Sequence, residues 1–186
     1  WLALPWFHTV LGNHEHMAMQ YVQGHCTKYL HDINGGDWFT EMTDDSRQDL
    51  YAKAFRELPI VIEVETDSGL VGIVHAECTE DDWLVNNNKL EANTDMTYYE
   101  STRRDTRGIN VTTFNALWSR DRIQHKDLTV ISNIWKIYHG HTPVQTRATM
   151  GNRVYIDTGA VFNSNFTVEN LETGEPYKLN YGKQND

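Results

Sequence analysis

Asn13 and His14 in Gly12-Asn13-His14-Glu15, His75 in Val74-His75-Ala76-Glu77, and His141 in Gly140-His141-Thr142-Pro143 are the residues of this sequence best suited to chemistry. Asn13 offers an amide oxygen, and His75 and His141 offer imidazole nitrogens. Together they suit a hard-to-borderline divalent metal, with His14 as a fourth group beside it. Any one of them alone would carry little, because most histidines ligate nothing. Placed in this order, each after an apolar, β-like run, they point to a metal site.

The runs are Leu2 to Val10, Leu70 to Val74, and Val130 to Tyr138. Short stretches rich in β-branched and aromatic residues predict buried strands. Polar residues just beyond strand carboxyl ends are where open α/β sheets assemble ligand sites. Gly12 and Gly140 fit sharp strand exits, where glycine tolerates positive φ and lets backbone approach an ion.

These motifs, with Arg120 in Trp118-Ser119-Arg120-Asp121-Arg122-Ile123, resemble those of the calcineurin-like metallophosphoesterases. Within that superfamily the sequence looks most like the bacteriophage lambda type of serine/threonine protein phosphatase. Pro5-Trp6-Phe7, Asn34-Gly35-Gly36-Asp37-Trp38-Phe39 and Tyr155-Ile156-Asp157-Thr158-Gly159-Ala160-Val161-Phe162 extend the likeness from residue 1 to about residue 170. The resemblance implies an αβ sandwich with mixed β-sheets flanked by helices and a binuclear metal site at loop ends. It implies two divalent ions, Mn²⁺ with Fe or Zn as alternatives, with Asn13, His75 and His141 as ligands of the second. His14 becomes the general acid and Arg120 the phosphate-binding cation. Metal-bound water would attack phosphorus in a phosphorylated protein or a small phosphoester, without a covalent phosphoenzyme.

The sequence departs from the family pattern in two places. Gly-Asp-x-His-Gly and Gly-Asp-x-x-Asp-Arg-Gly, which supply the first metal's ligands, the bridging Asp, the Asp that orients the catalytic His and a phosphate-binding Arg, do not occur. The expectation is an N-terminally truncated phosphatase, a single partial catalytic domain over 1–186 that is inactive alone. Two other readings stay open: a dinucleoside tetraphosphate hydrolase of the same superfamily, or a catalytically inactive phosphate- or metal-binding relic. Leu11 also stands where lambda-type enzymes commonly carry an Arg that helps bind phosphate.

The net charge of −10 argues against nonspecific binding to nucleic acid or anionic membrane. A bound metal pair would reverse that sign locally, so a phosphorylated substrate stays compatible. Cys26 and Cys78 form no CxxC pair and read as buried reduced thiols of a cytoplasmic protein, in a bacterium or a phage-infected cell. No apolar run approaches a membrane span, and the amino-terminal stretch lacks the features of a signal peptide.

Helices are predicted from Glu15 to about Leu30 and from Ser46 to Leu58, the second with Leu50, Ala54 and Leu58 as its apolar face. Hairpins are predicted over 60–75, around Asp67-Ser68-Gly69, and over 144–157, around Met150-Gly151-Asn152. A strand is expected over 166–169 and a frayed tail from Thr173. Residues 77–116, with Arg103, Arg104 and Arg107, read as a polar loop insertion, either selecting substrate or simply solvated. Arg120 competes with Arg122 as the phosphate-binding cation. Glu15 reads as a helix-start residue. His8, His16, His25, His31, His125 and His139 read as ordinary histidines.

Overall fold

The computed structural model describes residues 2–91, 111–163 and 165–177. Its first half is helical: α1 (Asn13–Val22), α2 (Lys28–Asp32), α3 (Asp37–Thr40) and α4 (Asp45–Arg56). The single helix predicted to about Leu30 is broken at Gly24, which adopts φ 76°. There the Gln20 carbonyl takes the N–H groups of both His25 and Cys26. The chain then restarts under a Thr27 cap, whose side chain accepts from the Leu30 N–H.

Helix α4 lies where the sequence predicts it, and Leu58 just beyond it packs against the core as expected, but the most buried positions are not the predicted Leu50 and Ala54. Leu50 is 64% exposed, whereas Ala52 and Phe55 enter a core with Leu11, Ala18, Met19, Phe39 and Leu117. Gln48 donates to the Phe39 carbonyl at 2.9 Å. Gln48, Ala52 and Phe55 share the inner face at helical spacing.

The second half builds the sheet. Strands β1 (Val61–Thr66) and β2 (Gly69–Val74) form the expected hairpin, Gly69 taking φ 131° at its turn. Helices α5 (Trp83–Glu91), α6 (Val111–Trp118) and α7 (Asp121–Gln124) precede strands β3 (Lys136–His139), β4 (Ala148–Met150) and β5 (Arg153–Tyr155). Helix α8 (Ala160–Asn163) and the β6 (Glu169–Asn170) and β7 (Glu175–Pro176) pair complete the described chain. The five strands run in the order β1-β2-β3-β5-β4, with β2, β3 and β5 parallel and antiparallel strands at both edges. The fold class is α/β, a mixed sheet flanked by helices, as the sequence predicts.

Two apolar clusters hold the sheet. Val74, Cys78, Trp83, Ala116, Ile131 and Ile137 form one, and Val71, Tyr138 and Val154 the other. Gly72 lets the Trp83 ring lie against β2, where any Cβ would collide with it. Because β2, β3 and β5 are parallel, their carboxyl ends reach the same side, and His75 and His141 follow two of those ends.

Several predicted elements are corrected. Residues 2–6 form turns and residues 7–10 take no regular structure: none of them pairs with a described strand, and Leu2, Leu4 and Trp6 remain exposed. Strand β3 starts at Lys136 rather than Val130. The Asn152 side chain accepts from the Ile131 N–H at 2.9 Å and donates to the Ile131 and Ile134 carbonyls, so a side chain replaces sheet pairing there. The 144–157 hairpin shrinks to β4 and β5. The strand expected over 166–169 shrinks to β6, and part of the expected frayed tail forms β7 against it. The ends of the 77–116 segment are ordered rather than loop, with Cys78 and Trp83 in the core and α5 and α6 at its edges. Arg103, Arg104 and Arg107 lie outside the described residues.

Candidate metal centre

Asn13 is the first residue of α1 and is buried, with Gly12 as the N-cap. Gly12 has φ −101°, so the positive φ expected there is not found. What glycine provides is space: a Cβ would meet the Glu15 carboxylate at 2.5 Å and the His75 ring at 3.1 Å. Gly140 is likewise outside the left-handed region, which His141 occupies instead at φ 62°. The Thr142 N–H reaches back to the Gly140 carbonyl at 2.6 Å, so His141 is the centre of a γ-type turn with positive φ, the strained kind. Non-glycine residues held this way cluster at functional sites, where the surroundings enforce them.

One backbone hydrogen bond joins the ends of β2 and β3, and a second ties the end of β2 to α6. The His75 carbonyl accepts from the Gly140 N–H at 2.9 Å, and the Ala76 N–H donates to the Ala116 carbonyl at 2.8 Å. In consequence the His75 and His141 rings meet with centroids 5.0 Å apart. His75 Nε2 stands 2.8 Å from Asn13 Oδ1 and 3.2 Å from His141 Nδ1, and His141 Nδ1 stands 3.2 Å from Asn13 Oδ1. Three residues more than sixty positions apart thus converge on one triangle of donor atoms.

This triangle fits a divalent ion. Donors held at about 2.1 Å and at right angles around an ion are spaced about 3.0 Å apart. His141 Nε2 lies 3.1 Å from the Trp118 carbonyl, to which it can donate a proton, leaving Nδ1 with a bare lone pair aimed at the triangle. Burial lowers the His75 pKa to about 3, with His141 and His14 adding to the effect. Burial lowers His141 to about 4, with Arg120 contributing. Both rings are therefore neutral near pH 7, the form that ligates metal. All three donors are uncharged, so an ion held here keeps its full charge for an anionic substrate. Among the described residues no group of three or more His, Cys, Asp or Glu side chains gathers. The centre consists of two imidazoles and one amide, without a carboxylate.

His14 follows Asn13 but is exposed, packed near Gly35, and its charge is felt at both His75 and His141. Arg120 is the N-cap of α7 and exposed, and it too acts electrostatically on His141. The structure separates Arg120 from its competitor. The Arg122 guanidinium is committed to Asp127 and Asp81, each at 2.7 Å, and to the Thr79 carbonyl at 2.6 Å. The Arg120 carbonyl accepts from the Gln124 N–H at 2.9 Å, but its guanidinium makes no hydrogen bond or ion pair among the described residues.

Some relevant residues carry no sequence signal of their own. Trp118 acts through its carbonyl, and Glu77, 1% exposed, binds the turn that presents Arg120. His139 is buried and stacked on Tyr155, with centroids 5.0 Å apart, and His31 is buried against Tyr21 and Phe39. Cys26 and Cys78 are free and buried, and burial pushes the Cys78 thiol up to about 12. That shift favours the protonated thiol. No helix among the described residues is long and apolar enough to cross a membrane.

A mixed α/β sheet with one histidine after each of two strand ends, and an asparagine opening a helix beside them, agrees with the resemblance to the metallophosphoesterases. No protein-family model matches the chain. Individual proteins do. The serine/threonine-protein phosphatase 2 of Salmonella typhimurium is 29% identical over 171 residues, covering 89% of this chain and 68% of its own length. That of Escherichia coli K12 is 30% identical over 166 residues, 86% of this chain and 65% of its own. The serine/threonine-protein phosphatase 1 of Salmonella typhimurium is 30% identical over 174 residues, 92% and 69%. The chain belongs to this lambda-type family of bacterial serine/threonine protein phosphatases, and it spans about two thirds of these relatives' length.

Proposed function

We propose that this chain carries the second-metal half of a phosphomonoesterase site, and that the complete gene product removes phosphate from phosphoserine or phosphothreonine in proteins, with phosphotyrosine as an alternative. The observation that carries the reading is the convergence of Asn13 Oδ1, His75 Nε2 and His141 Nδ1 within 2.8–3.2 Å. Exposed His14, and Arg120 with its guanidinium unpaired among the described residues, act on that centre electrostatically. The relatives' names support a protein substrate and give no support to a dinucleotide.

A pair of divalent ions, when bound, supplies Lewis acidity and lowers the pKa of a water at neutral pH. Oxygen and nitrogen donors without thiolate suit Mn²⁺ or Fe. Asn13, His75 and His141 hold one ion with neutral donors. Arg120 receives phosphate oxygens on its planar fork of N–H groups. A water oxygen bonds to phosphorus as the ester P–O bond breaks, the water's proton passing to solvent, and His14 gives a proton to the departing alkoxide oxygen.

The competing reading is a trio joined only by hydrogen bonds, needing no ion. Titrating the purified chain with Mn²⁺ while following its urea midpoint separates the two. Binding to the native state alone raises the midpoint with ion concentration, and His75→Ala abolishes the rise. A midpoint indifferent to Mn²⁺ would reject the metal centre.

A further inference from the structure

Glu77 lies two residues beyond His75 and is 1% exposed. Both its oxygens are spent on one turn. Oε1 accepts from the Arg122 N–H at 2.7 Å, and Oε2 accepts from the Ser119 hydroxyl. Ser119 Oγ in turn accepts from the Asp121 N–H at 3.2 Å. On the other side of Ser119, the Trp118 carbonyl faces His141 Nε2. The backbone of the turn is tied at Arg120 too, whose carbonyl accepts from the Gln124 N–H at 2.9 Å, while the Arg120 guanidinium has no partner among the described residues.

Burying a carboxylate costs several kcal/mol unless its oxygens are well hydrogen-bonded. An exposed Asp or Ser would cap α7 without that cost. The guanidinium of Arg122, the obvious salt-bridge partner, goes instead to Asp81 and Asp127. It is the backbone N–H of Arg122 that meets Glu77, so what the carboxylate fixes is the path of the chain through residue 120.

We propose that Glu77 is a positioning residue: it holds the 119–122 turn so that the Arg120 guanidinium faces the substrate phosphate, linking the strand end that carries His75 to the phosphate grip. This rests on the phosphatase reading and on the role of Arg120 within it. The carboxylate touches no substrate and moves no proton. It sets the direction in which a long, otherwise unrestrained side chain points, and so reduces the entropy lost when Arg120 closes on phosphate.

The test uses the complete gene product with Mn²⁺ and follows KM and kcat on p-nitrophenyl phosphate, competitive inhibition by inorganic phosphate, and metal content. Arg120→Ala weakens phosphate inhibition roughly tenfold or more, the scale of a lost charge-assisted pair. Glu77→Ala weakens it by a similar factor with metal content unchanged. In the double variant the two losses do not multiply, because both act through one guanidinium. Glu77→Gln keeps most of the inhibition, since its amide can accept from the Arg122 N–H and donate to Ser119 Oγ. If Glu77→Ala does not fold, Ser119→Ala removes one tether and gives a smaller loss, absent in the Arg120→Ala background.

Multiplying losses would overturn the proposal, as would Glu77→Gln as damaging as Glu77→Ala, or phosphate inhibition unchanged in Glu77→Ala. In each case Arg120 would keep its role. Phosphate inhibition unchanged in Arg120→Ala would instead overturn the phosphate grip itself, and this proposal with it.

Discussion

Both ring nitrogens of His141 are engaged before any ligand arrives, whereas the guanidinium of Arg120, two residues beyond the carbonyl that faces that ring, makes no hydrogen bond or ion pair among the described residues. The same contrast separates buried Asn13 from exposed His14, its neighbour in the chain. Donors for an ion must stand within fractions of an ångström of their final places, and that needs supporting contacts made in advance. Groups that meet a substrate need reach and unspent hydrogen-bonding capacity. Glycine spacing, strand pairing and a strained turn serve the first set, and solvent exposure serves the second.

Removing a donor attacks the built half and has the largest effect. His75→Ala and His141→Ala each delete one of three donors. Loss of a group that merely supports a ligand already costs about 10–100-fold in metal affinity, so each should exceed that and turnover should fall with it. Metal content after dialysis and turnover in the complete gene product check this; normal metal retention in either variant would break the contrast.

His14→Asn attacks the free half. Metal content should stay at the parental level, while hydrolysis of alkyl phosphates falls by about 10²–10⁴-fold, the usual range for a general acid. With p-nitrophenyl phosphate, whose leaving group needs little protonation, the defect should be much smaller. An equal defect on both substrates, or lost metal, would remove His14 from that role.

The contrast also explains what the sequence discloses. Asn13, His75 and His141 stand out because each sits in a short motif after an apolar run, and the β1–β2 hairpin follows from Asp67-Ser68-Gly69. The supports do not stand out. Glu77 works on residues more than forty positions away, Asn152 replaces strand pairing at Ile131, and Trp118 contributes only a carbonyl. Such contacts exist only after folding and depend little on residue type. The same holds for the inner face of α4, where Gln48 binding the Phe39 carbonyl accompanies burial of Ala52 and Phe55 in place of Leu50. Arg120 and Arg122 look alike in sequence, and only the positions of Asp81 and Asp127 distinguish them.

Burial of the imidazoles makes a prediction about pH. His75 and His139 are lowered to about 3, and His16 and His141 to about 4, all chiefly by burial. Each folded-state value lies below the ordinary 6.5, so the unfolded chain binds the protons that the folded chain refuses. Stability is then full above about pH 6.5 and declines as pH falls toward the folded values, by up to about 1.4 kcal/mol per pH unit for each such group. Urea midpoints without divalent ions, measured from pH 8 to 4.5, should drop over that window. A midpoint flat between pH 7 and pH 5 would contradict the buried neutral rings.

The smallest effect comes from comparing two glycines that occupy equivalent places in the two motifs. Gly12→Ala puts a Cβ 2.5 Å from a Glu15 carboxylate oxygen and 3.1 Å from the His75 ring. Glu15 can swing away, but the ring is fixed by its donor contacts, so a shift of a few tenths of an ångström moves a donor atom. Metal affinity should fall within the range of a lost supporting contact, about 10–100-fold, with the fold intact. At Gly140 the nearest atom to an added Cβ is the His75 carbonyl oxygen at 3.7 Å, an ordinary contact, and φ is not in the left-handed region. Gly140→Ala should therefore change stability by less than about 1 kcal/mol and leave metal binding at the parental level. Calorimetric Mn²⁺ titration of both variants decides the matter. Equal damage at the two positions would mean that glycine serves backbone freedom in both motifs, and not room for the His75 ring.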